Sequence, residues 1–221
     1  MERGDVLPPG QSDGKLSLGD IRRRLAARAP GGERGDIQVA RALGTLEEFP
    51  RPAGEGVPAA VLIPLIERGG GFSVLLTKRT AHLDHHAGQI SFPGGRVEDG
   101  DTDPVATALR ETHEEIGLDP AQVEILGRLD AYMTVTGFDV VPVVGLVRPP
   151  FELRLDPFEV AEAFEVPFHF VLDSANHRRE FRETDDGKRR YFYALPYGPH
   201  YIWGATAAML VNLAETLRLN G

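Results

Sequence analysis

The sequence predicts an α/β (α+β) sandwich in which helices cover a β-sheet. Three observations predict it. Short apolar, β-branched runs bounded by Gly and Pro outnumber helical stretches, as at residues 57–67, 72–78 and 138–147. A helix signal over residues 104–116 carries a capping residue, Asp103, at one end and a stop, Gly117, at the other. A closing segment, residues 201–219, puts Ala205, Ala208, Met209, Leu213 and Leu217 on one helical stripe.

Taken in order, residues 1–15 are polar and rich in Gly and Pro, and are expected to be disordered or loosely attached. Residues 16–28 read as an amphipathic helix, with Leu18, Ile21 and Leu25 at helical spacing and Pro30, Gly31 and Gly32 ending it. The expected division is an N-terminal extension over 1–34, partly disordered and with a short helix, and one folded domain over 35–221. Residues 51–56 form a Pro/Gly connector. A hairpin follows, with strands at 57–67 and 72–78 turning at Gly69, Gly70 and Gly71. Residues 80–100 read as a long loop leading into the helix at 104–116, where Pro104 suits the first helical position. Strands are expected at 123–135, 138–147 and 163–166, then a polar hairpin of 179–183 and 189–194 turning at Asp185, Asp186 and Gly187.

Composition narrows the function classes. With 221 residues the chain fills one core, and no apolar run approaches the length of a membrane span. There are no cysteines, which excludes disulfides, thiolate nucleophiles and Cys-based zinc sites. The net charge of −9 argues against a nucleic-acid partner, which needs a basic face. Residues 1–15 lack the apolar core of a secretory signal, and the expected location is cytoplasmic. No membrane partner is expected, and the oligomeric state is left open.

The segment that carries chemistry is GGRVEDGDTDPVATALRETHEEIGL, residues 94–118. With about 100° per residue, Val105, Leu109, Thr112 and Ile116 form an apolar face. Glu111, Glu114 and Glu115 form an adjacent acidic one, and His113 points away. Like charges at i,i+3 and i,i+4 near a helix C-terminus repel each other and oppose the macrodipole. A divalent cation would offset both, and Mg²⁺ or Mn²⁺ suits carboxylate oxygen. Such clusters are ordinarily solvated surface, but the turn Phe92-Pro93-Gly94-Gly95 just ahead lets backbone approach a metal or phosphate closely.

These residues resemble the Nudix box, a Gly, five residues, Glu, seven residues, then Arg-Glu-U-x-Glu-Glu-x-Gly-U with U bulky and apolar. Residues 110–118 match its second half except at Thr112. Counting from Gly95, the first-half Glu falls on Asp101, one residue farther from Arg110 than the pattern has, and Glu98 is the other candidate. The resemblance implies a Nudix-type α/β/α sandwich with a mixed sheet. It also implies Glu111, Glu114 and Glu115 as metal ligands, Arg110 as their orienting partner, and Glu114 or a later loop carboxylate, Glu159 or Glu162, as general base. Residues 75–95, from Leu75-Leu76-Thr77-Lys78-Arg79 to Phe92-Pro93-Gly94-Gly95, are similar to the signature of the family's coenzyme A pyrophosphatase branch. Asp84 stands where that signature has a basic residue, leaving His82, His85 or His86 to take its place. Ile202-Trp203-Gly204-Ala205-Thr206 is similar to the start of that branch's terminal helix.

The resemblance implies a metal-dependent pyrophosphohydrolase that splits coenzyme A into 3′,5′-ADP and 4′-phosphopantetheine. Lys78, Arg79, Gly94 and Gly95 would then contact the substrate. The alternatives are another Nudix substrate, such as ADP-ribose, a dinucleotide or an oxidised nucleoside triphosphate, and a non-catalytic nucleotide-binding module. The presence of all three helix glutamates argues against lost catalysis. The spacing of His82, His85 and His86 could mimic a zinc site, but no fourth ligand is identifiable and the segment reads as loop.

Overall fold

The computed structural model describes residues 16–28, 34–44, 56–81, 88–184 and 187–218. The expectations for residues 1–15, for the stop at 30–32, for most of the connector at 51–56 and for His82, Asp84, His85 and His86 lie outside the described residues. In chain order the elements are α1 (Leu18–Ala27), β1 (Arg34–Gly35), α2 (Asp36–Ala42), β2 (Val57–Arg68), β3 (Gly71–Arg79), β4 (Ile90–Ser91), β5 (Gly94–Arg96) and α3 (Pro104–Ile116). They continue with β6 (Val123–Arg128), β7 (Tyr132–Met133), β8 (Phe138–Val147), β9 (Val160–Pro167), α4 (Phe168–Leu172), β10 (Arg178–Glu183), β11 (Arg189–Tyr197), β12 (His200–Trp203) and α5 (Gly204–Leu217).

The large sheet runs β1-β7-β8-β2-β3-β4, with β5 added to β2, β6 to β8 and β9 to β3. It is mixed: β2 and β8 pair in parallel from Val57↔Phe138 to Ile66↔Val147, whereas β3 lies antiparallel to β2 and β9. Strand alternation divides the core. On β2, Ala59, Ile63 and Leu65 face α1, α4 and α5, while Ala60, Leu62 and Ile66 face α3. A second sheet, β10-β11-β12, joins α5 on the first side. This three-layer arrangement is the α/β/α sandwich anticipated above. No helix among the described residues is long and apolar enough to cross a membrane.

Several boundaries differ from expectation, each for a packing reason. Residues 80–100 are not all loop. Ile90 and Gly94–Arg96 pair with β3 and β2, and Ile90 and Phe92 are buried. The strand expected at 123–135 breaks after Arg128, and its tail returns as β7 paired to both β1 and β8. The strand at 163–166 extends over 160–167 because β9 pairs with β3 along its length. Residues 201–203 are strand rather than helix: Ile202 pairs with Leu195 and both are fully buried. Helices α2 and α4 lacked a periodic signal of useful length. Helix α1 packs on β6 and α5, with Ile21 fully buried. Its Ser17 and Asp20 form a capping box.

Candidate metal centre

Helix α3 is specified at both ends. Asp103 accepts hydrogen bonds from the Val105 and Ala106 amides at 2.7 and 3.0 Å, and Pro104 occupies the first turn. Gly117 adopts φ +69° and its amide donates to the His113 carbonyl at 2.9 Å. The face turned to the sheet comprises Thr107, Ala108, Thr112, Glu115 and Ile116. This corrects the helical-wheel reading: Glu115 is in the middle of the packing face, not beside it, and Leu109 is only half-buried. Thr112, the departure from the box pattern, is accommodated because its hydroxyl donates to the Ala108 carbonyl at 2.6 Å.

The three glutamates therefore occupy three environments. Glu115 is 4% exposed, and its Oε2 is buried without a hydrogen-bond partner. Arg79 Nη1 stands 3.7 Å from its Oε1. Burial pushes the Glu115 carboxyl up to about 8; Arg79 opposes the rise, and the charges of Glu159 and Glu111 add to it. Glu111 is half-buried, and burial raises it too, against the pull of Arg110. Its carboxyl lies against Gly95, where a Cβ would collide with it. Gly94 has φ +152° and lies so close to Ala60 and Val61 that no side chain fits. The two glycines thus serve to bring β5 up to β2 and to the Glu111 carboxyl. Glu114 is the exposed member, its side chain 56% accessible.

Arg110 ties the cluster together. Its Nη1 donates to Glu111 Oε1 and Glu114 Oε2, both at 3.0 Å. Its Nε and Nη2 donate to the two oxygens of Asp101, also at 3.0 Å, and Nη2 reaches the Arg96 carbonyl. Asp101 accepts further bonds from the Thr107 hydroxyl and the Glu98 amide, and together these hold its carboxyl well below the usual range. Glu98, by contrast, is 3.9 Å from Arg110 and exposed. Asp101 is the residue that anchors Arg110, so the extra residue in the loop leaves this role filled.

The remaining candidates separate by face. Residues 154–160 are bonded to the end of α3, the Asp156 amide to the Glu115 carbonyl at 2.9 Å and the Arg154 amide to Ile116 at 2.7 Å. Thr80 fastens the same segment to β3 through its hydroxyl to the Phe158 carbonyl at 2.7 Å and its amide to Glu159 at 3.0 Å. Glu159 is brought to the cluster in this way, 4.0 Å from Arg79. Glu162 is not: it lies within β9 opposite Lys78 and hydrogen-bonds His200 at 3.0 Å. His200 stacks on Phe164, which packs on the α5 side of the sheet. Lys78 and Arg79, expected to act together, fall on opposite sides of the sheet. Alternation places Lys78 with Leu76 and Glu162, while Arg79 reaches α3. His113 is exposed, with Nδ1 3.3 Å from the Leu118 carbonyl. The pairing of Arg79 with Glu115 was missed, since no spacing rule links residues 36 positions apart on a strand and a helix.

As the side chains stand, no three His, Asp or Glu residues among those described are grouped to hold one ion. Arg110 binds Glu111 Oε1, and Arg79 stands beside Glu115 Oε1. The residues nonetheless suit a hard divalent cation: all candidate donors are carboxylate oxygens, and Glu115 Oε2 is a buried acceptor with nothing to accept from.

A sandwich with this arginine-bridged acidic helix behind a Gly-Gly turn defines a protein class, and comparison with known proteins agrees. The NUDIX domain family matches residues 56–185, more than half the chain, and the chain belongs to the Nudix family. Within it, an uncharacterized Nudix hydrolase of Escherichia coli, NudL, is 40% identical over 159 residues, covering 71% of this chain and 80% of that protein. Among solved structures, an Ap4A hydrolase of C. elegans superposes with a TM-score of 0.41 at 23% identity, over 50% of this chain and 80% of that one. RenU, a Nudix hydrolase of M. smegmatis, gives 0.41 at 26%, over 52% and 72%. Nudix hydrolases are pyrophosphatases that act on small nucleotide substrates and generally use divalent metal ions.

Proposed function

We propose that the chain hydrolyses the diphosphate of coenzyme A or its derivatives, with Mg²⁺ or Mn²⁺, to 3′,5′-ADP and 4′-phosphopantetheine in the cytoplasm. The observation that carries the catalytic part is Glu115, buried, short of a partner and facing two further carboxylates. The substrate part rests on the resemblance of residues 75–95, whose described portion forms β3, β4 and the start of β5 beside that glutamate.

Glu111, Glu114 and Glu115 would hold the metal, which when bound neutralises phosphate charge and lowers the pKa of water. Arg110, anchored on Asp101, fixes where Glu111 and Glu114 present their oxygens. Gly95 leaves the room in which the Glu111 carboxyl sits. Arg79, beside Glu115 and Glu159, supplies the cation nearest the diphosphate. Glu159 removes the proton from attacking water; it stands at the cluster yet is not bound by Arg110, whereas Glu114 is.

The test is product analysis with coenzyme A, ADP-ribose and a dinucleotide, each with Mg²⁺, Mn²⁺ or chelator. Metal-dependent release of 3′,5′-ADP from coenzyme A, at least tenfold faster than AMP from the others, is the expected result. Preference for either comparator would reject coenzyme A as substrate.

A further inference from the structure

On the side of the sheet away from α3 is a cavity of about 310 Å³ between α2, α5, β7 and β11. Helix α5 lines it with Ala208, Val211, Asn212 and Glu215, one face at i, i+3, i+4 and i+7 spacing. Asn212 is 3% exposed, and neither its amide nitrogen nor its carbonyl oxygen has a hydrogen-bond partner. A side chain there for packing alone would be apolar, as its α5 neighbours Val211 and Leu213 are.

We propose that this cavity is a second binding site, for a neutral heteroaromatic base whose edge offers a donor beside an acceptor. A carboxamide presents that complementary pair, and Asn makes such a two-bond contact with adenine. The ligand is neutral because charge at the mouth is already matched: Arg34 pairs with Glu215 at 3.3 Å and with Asp130 at 3.5 Å. The walls are pre-set, since the Tyr132 hydroxyl donates to Asp36 at 2.8 Å and Asp36 also accepts the Val135 amide. The volume suits one ring system and is near the lower end for ligand pockets, about 300–1,000 Å³. The sheet separates this site from Glu115, so its occupant is not the diphosphate under attack.

Calorimetric titration of the full chain with 9-methyladenine, 1-methylcytosine and 9-methylpurine tests the site. Saturable binding of 9-methyladenine or 1-methylcytosine is expected. It should be at least tenfold weaker in Asn212→Leu, weaker for 9-methylpurine, which has neither an amino group nor a ring N–H to donate, and unchanged in Glu115→Gln. The comparison among bases on the wild-type chain stands even if Asn212→Leu fails to fold. Absence of binding by any base would mean the cavity holds water only and overturn the proposal. Equal binding by Asn212→Leu, or loss of binding in Glu115→Gln, would overturn it as well.

Discussion

Replacing Glu115 by Gln keeps the side chain's shape and removes its charge. In the folded protein burial holds the Glu115 carboxyl near 8, against an ordinary value of 4.5. Between those two values the folded state retains a proton that the unfolded chain has released. Metal-free stability therefore falls as pH rises through that window, because ionisation is disfavoured only in the fold. The difference of about 3.5 pH units, at about 1.4 kcal/mol each, sets a ceiling of about 5 kcal/mol. Relaxation and water penetration reduce it, and about 2 kcal/mol is the working expectation. For a chain of this size that is roughly 4–8 °C in Tm. The assay is thermal unfolding of wild type and Glu115→Gln, in chelator and in excess Mn²⁺, at pH 5 and pH 8. In chelator the variant should match wild type at pH 5 and exceed it at pH 8. Mn²⁺ should raise the wild-type Tm at pH 8 and leave the variant unmoved. Parallel pH profiles, or equal stabilisation of both by Mn²⁺, would refute the reasoning.

Other substitutions probe the neighbours. Gly95→Ala would push a Cβ into the Glu111 carboxyl, and should cost about 1–3 kcal/mol in stability and most of the turnover, read by denaturant unfolding and product assay. Arg110→Lys keeps the charge but not the fork that joins Asp101, Glu111 and Glu114, and should lower metal affinity or kcat by roughly 10- to 100-fold. Glu159→Gln should lower kcat by about 10²-fold or more, read by the product assay. Glu162→Gln, on the far side of the sheet, should leave kcat within a factor of about two, because it contacts His200 rather than the cluster.

What could be read from the chain alone was local. Asp103, Pro104 and Gly117 bracket α3 at its observed limits because caps and stops act within a few residues. The hairpin of β2 and β3 was legible for the same reason, three consecutive glycines between two apolar runs. What depends on partners distant in sequence was not. The pairs that form β4, β5 and β7 are two or three residues long and exist only through their neighbours. Glu115 was placed on an acidic face because a wheel ranks side chains by polarity, whereas the sheet selects the arc centred on Ala108 and Glu115. Lys78 and Arg79 were grouped by adjacency, although strand alternation sends them to opposite sides. Asn212 was hidden because one polar residue inside an apolar helical stripe carries no spacing signal.

The metal claim is tested most directly by the electron paramagnetic resonance of Mn²⁺ titrated into the protein at pH 8, compared with Glu115→Gln and Glu111→Gln. Loss of the free-ion signal with wild type, and its persistence with either variant, is the expected result. Equal uptake of Mn²⁺ by all three proteins would contradict a metal centre on helix α3.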